Sequence, residues 1–273
     1  MKTSPSVFSA LLPREARRRG DEHELKLEVD AGSPLARAVE RIEELAAQES
    51  EATHRAIADA FEQLFGLEVS GIKKISRVQH FSVYYDTAEL DLCRLDASLR
   101  MRRRRSGGYR VNAKSPDVCG DHRGHLVRGE WRYTLAQEVF EFLERMRFLP
   151  LVEHHYAEVF EGPIDARRAL APVVQIHKRS ARIQLLQAGG QSLLLSLDRF
   201  TGFGCRDGEV ARSTRELREV EIEALNDKAA RGLGAVCDRL ASLRGVTLCR
   251  PKYQTVVREL ALDPIGSDAR SLH

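Results

Sequence analysis

The stretch "DEHELKLEV", residues 21–29, sets Glu22, Glu24 and Lys26 at alternate positions with Leu25, Leu27 and Val29 between them. Period-two alternation is the mark of a strand, whose successive side chains project to opposite faces. Two carboxylates and an ammonium therefore share one face and the apolar residues share the other. Taken alone, the segment fits an edge strand with its polar face in water. Whether that face is solvated or enclosed depends on the company it keeps.

Four further segments repeat the pattern: Arg100/Arg102/Arg104, Arg110/Lys114, Arg128/Glu130/Arg132 and Glu219/Glu221/Glu223. Solvated faces stabilised by cross-strand ion pairs would mix signs along each strand, at a gain of roughly 0–1 kcal/mol per pair. The Arg100 and Glu219 segments instead keep one sign over three positions, which is repulsive unless opposite charge arrives from elsewhere. A polyanion would neutralise the arginines and divalent cations the glutamates. A phosphate chain carrying magnesium supplies both, since hard cations bridge carboxylates to phosphates while Arg and Lys hold the remaining oxygens. Charged faces turned into a closed barrel would leave the apolar faces to be covered outside by helices.

The chain has such helices. Ser33 and Pro34 supply a cap and a first-turn proline, with Leu35, Val39, Ile42, Leu45 and Ala46 at helical spacing behind them. "THRAIADAFEQLFG" continues the pattern to Gly66, and further helical runs fall near 136–147 and in "KAARGLGAVCDRLASL". Strands are expected at "VQHFSVYYDT", "ASLRMRRRR", "YRVNAKS" after the Gly107-Gly108 turn, "LVRGEWRYTL", "ARIQLLQ", "SLLLSLDRF" and "LREVEIEAL". The segment reaching Pro172 is weakly patterned. Many strands, tight turns and interspersed helices predict an antiparallel α+β domain built on a large curved sheet or barrel.

The totals exclude several classes. The 273 residues are 42% hydrophobic, enough for a substantial core, and 43 Lys+Arg against 40 Asp+Glu leave a net charge of only +3. No global field points to nucleic acid or an anionic membrane. Five cysteines, widely spaced and without a C-x-x-C pair, argue against a disulfide framework and a thiolate zinc site, and for a reducing, cytoplasmic setting. No apolar run reaches the roughly 18 residues of a membrane span. Residues 1–20 read as a basic tail, with an organellar transit peptide as the alternative because Glu15 is the first acidic residue. His122, His125, His154 and His155 read as loop histidines rather than a transition-metal site, since no acidic or cysteine context accompanies them.

The landmarks together resemble the CYTH superfamily, the triphosphate tunnel metalloenzymes. "EHELK" matches the Glu-x-Glu-x-Lys signature, and "YYDTAELDLCRLDASLRMR" is similar to the Tyr-Tyr-x-Thr segment that leads to a Leu-Arg-x-Arg strand. "RGEWR" resembles the Arg-x-Glu pair of bacterial members, "LSLDRF" the strand with a metal-linked Asp, "EVEIEAL" the late glutamate strand and "RPKY" the basic C-terminal segment.

The resemblance implies an eight-stranded antiparallel β-barrel with amphipathic helices packed outside. It spans one tunnel domain at 21–260, with a helical insertion at about 33–66 and a C-terminal tail at 261–273. The implied activity is metal-dependent hydrolysis of inorganic triphosphate, or of an organic triphosphate, closest to bacterial inorganic triphosphatases. It assigns Lys26, Arg100, Arg102, Lys114, Arg128 and Lys252 to phosphate, and Glu22, Glu24, Asp198, Glu221 and Glu223 to two Mg²⁺ or Mn²⁺ ions. Glu130 would orient or balance the neighbouring arginines. Glu22, Glu24, Lys26 and Glu130 form the expected catalytic set, and Glu221 and Glu223 are preferred to Glu219 as ligands. An arginine near the start of "KRSARIQL" is expected at Arg179 by motif. The apolar phase of Ala181, Ile183 and Leu185 favours Lys178 and Arg182 instead, unless a bulge intervenes. The insertion is expected to cover the barrel, with a partner or homodimer surface as the alternative. A class IV type adenylyl cyclase and a non-catalytic polyphosphate- or nucleotide-binding module are the competing functions.

Overall fold

Ten strands and seven helices make up the described part of the structure, a computed structural model. It describes residues 17–262 apart from 31, 49, 105–106, 117–124, 157–168, 207–208, 242–246 and 249–250. Residues 1–16 of the expected N-terminal tail, His122 and residues 263–273 of the expected C-terminal tail therefore lie outside the described residues, while Arg17–Gly20 belong to the first strand rather than to a tail. In chain order the strands are β1 (Arg17–Glu28), β2 (Gly71–Asp86), β3 (Ser98–Arg103), β4 (Tyr109–Lys114) and β5 (His125–Leu135). They continue with β6 (Ala171–Leu186), β7 (Ser192–Arg206), β8 (Glu209–Ser213), β9 (Leu217–Ala224) and β10 (Thr247–Leu248). The helices are α1 (Pro34–Leu45), α2 (Glu51–Phe65), α3 (Asp91–Arg94), α4 (Gln137–Arg145), α5 (Leu149–Tyr156), α6 (Asp227–Ala241) and α7 (Lys252–Glu259).

Eight of the strands close on themselves, all antiparallel, in the order β1-β5-β4-β3-β2-β6-β7-β9 and back to β1. Closure removes the open edges that a large sheet would otherwise expose. β8 and β10 are short additions on β7 and β1.

On β1, Leu25 and Leu27 are fully buried on the outer face while Glu24 and Lys26 are buried on the inner one. The charged face is thus enclosed rather than solvated. Burying each leucine outside is worth about 1.5–3 kcal/mol, so the apolar faces fix which way every strand turns.

Two apolar layers cover the outside, and a third packs on inward-phase residues at one end of the barrel. α1, α2 and α6 lie over β1, β7, β9 and the end of β6, with Ile42, Ile57, Phe61 and Phe65 against Leu25, Leu195 and Ile222. The start of this cover is set locally, because Ser33 Oγ caps α1 through the Ala36 N–H and Gly66 ends α2 in the left-handed conformation (φ 63°). Ion pairs from Arg199 to Glu43 and from Arg218 to Glu40 tie the outer barrel wall to α1. The insertion is cover for the barrel.

The second layer packs α4 and α5 on β3, β4 and β5, including Trp131 on its outer face. α5 and β8 are absent from the sequence reading, and His154 and His155 lie in α5 rather than in a loop.

The third layer is α7, nearly all of it buried, set against Phe200, Ile176 and Tyr84. A Cβ on Gly202 of β7 would lie 2.2 Å from Val256 Cγ1, so only glycine lets the helix approach this closely. Asp86 anchors the same corner, accepting from the N–H groups of Thr87, Leu92 and Cys93 and from the Tyr253 hydroxyl at 2.7 Å. The helix start brings Lys252 to the barrel interior.

Candidate active site

Inward residues of β1–β6 and β9, with the start of α7, line a cavity of about 240 Å³. Its walls differ in charge. β1, β7 and β9 carry carboxylates in register: Lys26 lies opposite Glu221, Glu24 opposite Glu223, and Asp198 opposite Glu219. Buried carboxylates facing each other are tolerable only with cations between them, since desolvation alone costs several kcal/mol per ion.

Those cations are present. Lys26 pairs with Glu221 and with Glu24 at 3.0 Å, and Arg128 pairs with Glu24. Lys252 reaches Asp198 at 2.8 Å, Glu221 at 3.3 Å and Glu219 as well. Burial alone would raise the Asp198 carboxyl, but Lys178 and Lys252 outweigh it and hold it at about 2. Lys178 fares differently, because burial pushes its ammonium down to about 8 in spite of its Asp198 partner. One carboxylate shared by two ammonium groups explains the contrast. Burial raises Glu219, whereas Lys252, Lys26 and Lys178 overcome burial and hold Glu221 well below the usual carboxylate range.

The opposite wall is cationic. Arg100 and Arg102 project from β3, Arg102 lies opposite Arg110 of β4, and β6 adds Lys178 and Arg182. Arg102 donates through Nε to Ser82 at 2.7 Å. Burial and the neighbouring Arg100 push its guanidinium down to about 9. Between the walls, Lys114 pairs with Glu22, and Glu130 accepts from Asn112 at 2.7 Å and forms an ion pair with Arg132 at 2.7 Å. Burial alone would raise Glu22, but Lys114 outweighs it; Lys114, Arg132 and Arg100 do the same for Glu130.

The structure brings Glu22, Lys26, Arg100, Arg102, Lys114, Arg128, Glu130, Arg182, Glu221, Glu223 and Lys252 to this cavity. Glu24 and Asp198 are buried in its wall. Arg179 does not reach it. The β2–β6 ladder runs without a shift from Ile75↔Ile183 to Tyr84↔Val174, so no bulge turns Arg179 inward. Its side chain is 68% exposed and pairs with Glu216 outside the barrel, while Arg182, one phase away, lines the cavity.

Glu219 shares the inward face with Glu221, as the strand phase implies. It is buried within the carboxylate group, where ligand atoms of Asp198, Glu219 and Glu221 lie within 4.8 Å of one another. His80, unremarked in the sequence because its strand carries no other inward charge, also lines the cavity.

A divalent cation suits the Asp198–Glu219–Glu221 group. All donors are hard oxygens, the buried Asp198 Oδ1 has no hydrogen-bond partner within the protein, and the Lys252 ammonium already touches all three residues as a positive charge. On the other wall the buried Nε atoms of Arg100 and Arg182 likewise have no protein partner.

The barrel, the enclosed charges and the sequence pattern converge on one family. The chain belongs to the CYTH domain family, whose pattern it matches over residues 47–252. The Glu-x-Glu-x-Lys segment at 22–26 lies ahead of that span. No curated protein matches the chain.

Among solved structures, it is similar to HpAC1 from Hippeastrum, an adenylyl cyclase by first description with a dominant triphosphatase activity. That match has 18% identity, covers 80% of this chain and 87% of that one, and has a TM-score of 0.41. The PH1819 protein of Pyrococcus horikoshii OT3 matches at 16% identity over 89% and 98% of the two chains, TM-score 0.42. The S. pombe Pct1 RNA triphosphatase matches at 14% identity over 82% of each chain, TM-score 0.29. Among the described residues, no helix is long and apolar enough to cross a membrane.

Proposed function

We propose that this protein is a metal-dependent triphosphatase with a preference for inorganic triphosphate. The observation that carries the reading is the opposition of two walls within one enclosed cavity. One wall holds arginines whose buried Nε atoms have no protein partner, and the other gathers three carboxylates. Arg100, Arg102, Arg182, Lys114 and Lys178 would grip the phosphate oxygens. Asp198, Glu219 and Glu221, with Glu24 adjoining them through Glu221, would hold Mg²⁺ or Mn²⁺, with Glu22 and Glu223 lining the approach. A bound divalent ion supplies charge neutralisation for the phosphates and acidifies a coordinated water. The arginines stabilise charge developing on the transferred phosphoryl oxygens, which is the main catalytic demand of a loose transition state. Glu130 fixes Arg132 and Asn112 beside the path of the phosphates.

Size and lining favour a small substrate. At about 240 Å³ the cavity falls below the roughly 300–1,000 Å³ of pockets that enclose drug-sized organic ligands. The phenols that reach it, Tyr84 and Tyr253, stack on each other at 5.0 Å and are buried.

The test is product analysis with tripolyphosphate, ATP, GTP and thiamine triphosphate. We expect tripolyphosphate to be cleaved with a higher kcat/KM than ATP, no cyclic AMP, loss of turnover with EDTA and recovery with Mg²⁺ or Mn²⁺. Cyclic AMP with pyrophosphate as the main products would replace this reading with a cyclase.

A further inference from the structure

His80 stands at the centre of the cationic wall. It projects inward from β2 directly opposite Lys178 of β6, and the charges acting on it come from Arg100 and Arg102 of β3 and Lys178 and Arg182 of β6. Along its own strand the inward neighbours are Val78 and Ser82, and β4 adds Arg110. Across the cavity stand Lys26, Glu221 and Glu223 of β1 and β9. Partial burial and the four surrounding cations push the imidazole down to about 4, so in the ligand-free protein it is neutral at physiological pH.

Neutrality here follows from the cations, and the cations are what a phosphate chain neutralises. A polyanion held by Arg100, Arg102 and Arg182 reverses the sign of the potential at the ring and favours its charged form. A neutral imidazole offers one N–H donor, whereas an imidazolium offers two.

We propose that His80 is a phosphate-binding residue that draws a proton from solvent when the triphosphate enters and then donates to a phosphate oxygen. Substrate capture is thereby coupled to proton uptake at one named ring. The inference rests on the triphosphate reading of the cavity and adds to it a residue and a pH response. The proton is gained from water or buffer with no bond broken in the substrate, so binding alone, without turnover, reveals it.

The experiment uses the full-length protein labelled with ¹³C at histidine Cε1, with His80→Gln identifying the His80 signal. The signal is titrated by NMR in magnesium-free buffer, with and without saturating tripolyphosphate, and calorimetry confirms binding. We expect the midpoint to stand near 4 without ligand and to rise by about 2 pH units or more with tripolyphosphate bound. Calorimetry near pH 6 in buffers of different ionisation enthalpy should show more proton uptake by the wild type than by His80→Gln. A midpoint unmoved while tripolyphosphate binds overturns the role of His80 and leaves the triphosphate reading intact. Absence of tripolyphosphate binding to the wild type, without Mg²⁺ and again after Mg²⁺ is added, overturns both.

Discussion

On the carboxylate wall of β1, β7 and β9 charges of both signs pair with one another, whereas the arginine wall of β2, β3, β4 and β6 gathers cations. Lys26, Lys252, Lys178 and Arg128 interleave with Glu24, Asp198, Glu219 and Glu221, so every charge there has an opposite neighbour, although Asp198 Oδ1 and the Nε and Nη1 of Arg128 have no hydrogen-bond partner. On the other side Arg100, Arg102, Arg110 and Arg182 stand together with His80, and two of their buried donors have no protein partner. Both walls place charges in a barrel interior where several kcal/mol per ion is lost from hydration. The first offsets part of that loss with its own ion pairs. On the proposed function the difference separates two tasks: the first wall would exchange its ammonium groups for metal ions, and the second would receive the anion.

The largest effect should come from uncharging the first wall. Glu221→Gln and Glu24→Gln are each expected to lower kcat by roughly a hundredfold or more, because each removes a metal-facing charge at nearly constant volume. Steady-state phosphate release at saturating Mg²⁺ measures it, and near-normal rates in both variants would erase the distinction between the walls.

Next is the mount of Lys252. Gly202→Ala places a methyl 2.2 Å from Val256 Cγ1 and should cost about 1–3 kcal/mol of stability by overpacking. Urea unfolding followed by circular dichroism gives the value; an unchanged midpoint would mean that α7 yields freely.

On the arginine wall, Arg100→Ala and Arg182→Ala should each weaken tripolyphosphate binding by roughly tenfold, the loss of a charge-assisted contact of about 1.4 kcal/mol. Arg179→Ala, on the outside, should change it by less than about twofold. Calorimetric titration of all three sharpens the boundary between inside and outside, and a larger loss at Arg179 than at Arg182 would invert it.

The smallest effect concerns acid. The folded-state value of His80, about 4, lies below the ordinary 6.5, so between these limits the unfolded chain binds more protons. Stability tied to His80 is therefore present above about 6.5 and lost as pH falls toward 4. His80→Gln should show a flatter decline in thermal midpoint between pH 6.5 and 4 than the wild type. Parallel declines would remove His80 from the cationic cluster.

What the sequence revealed followed from where its patterns were pure. Glu22/Glu24/Lys26 and Arg100/Arg102 are legible as strand faces because Leu25, Leu27, Leu99 and Met101 alternate cleanly with them. The single-sign rows point to an enclosed face, and Ser33-Pro34 and Gly66 mark the ends of the helical insertion. β6 is less legible, since "VVQIHKRSARIQ" mixes apolar and basic residues in both phases over its first half. There the alternation of Ile183 and Leu185 was the better guide to Arg182, and motif position misled toward Arg179. Glu219 shows a different limit: its inward phase is local, but its position opposite Asp198 of β7 is a cross-strand register that no local pattern encodes. His80 shares its inward phase with Val78, Ser82 and Tyr84, and only the neighbours that β3 and β6 bring to it give it meaning.

The central claim is the division of labour between the walls, and a crystal structure with Mn²⁺ and tripolyphosphate tests it most directly through the anomalous signal of manganese. The account predicts manganese peaks bound by carboxylate oxygens of Asp198, Glu219 and Glu221, with the phosphate chain against Arg100, Arg102 and Arg182. Manganese away from β7 and β9, or a phosphate chain held outside the barrel, would contradict it.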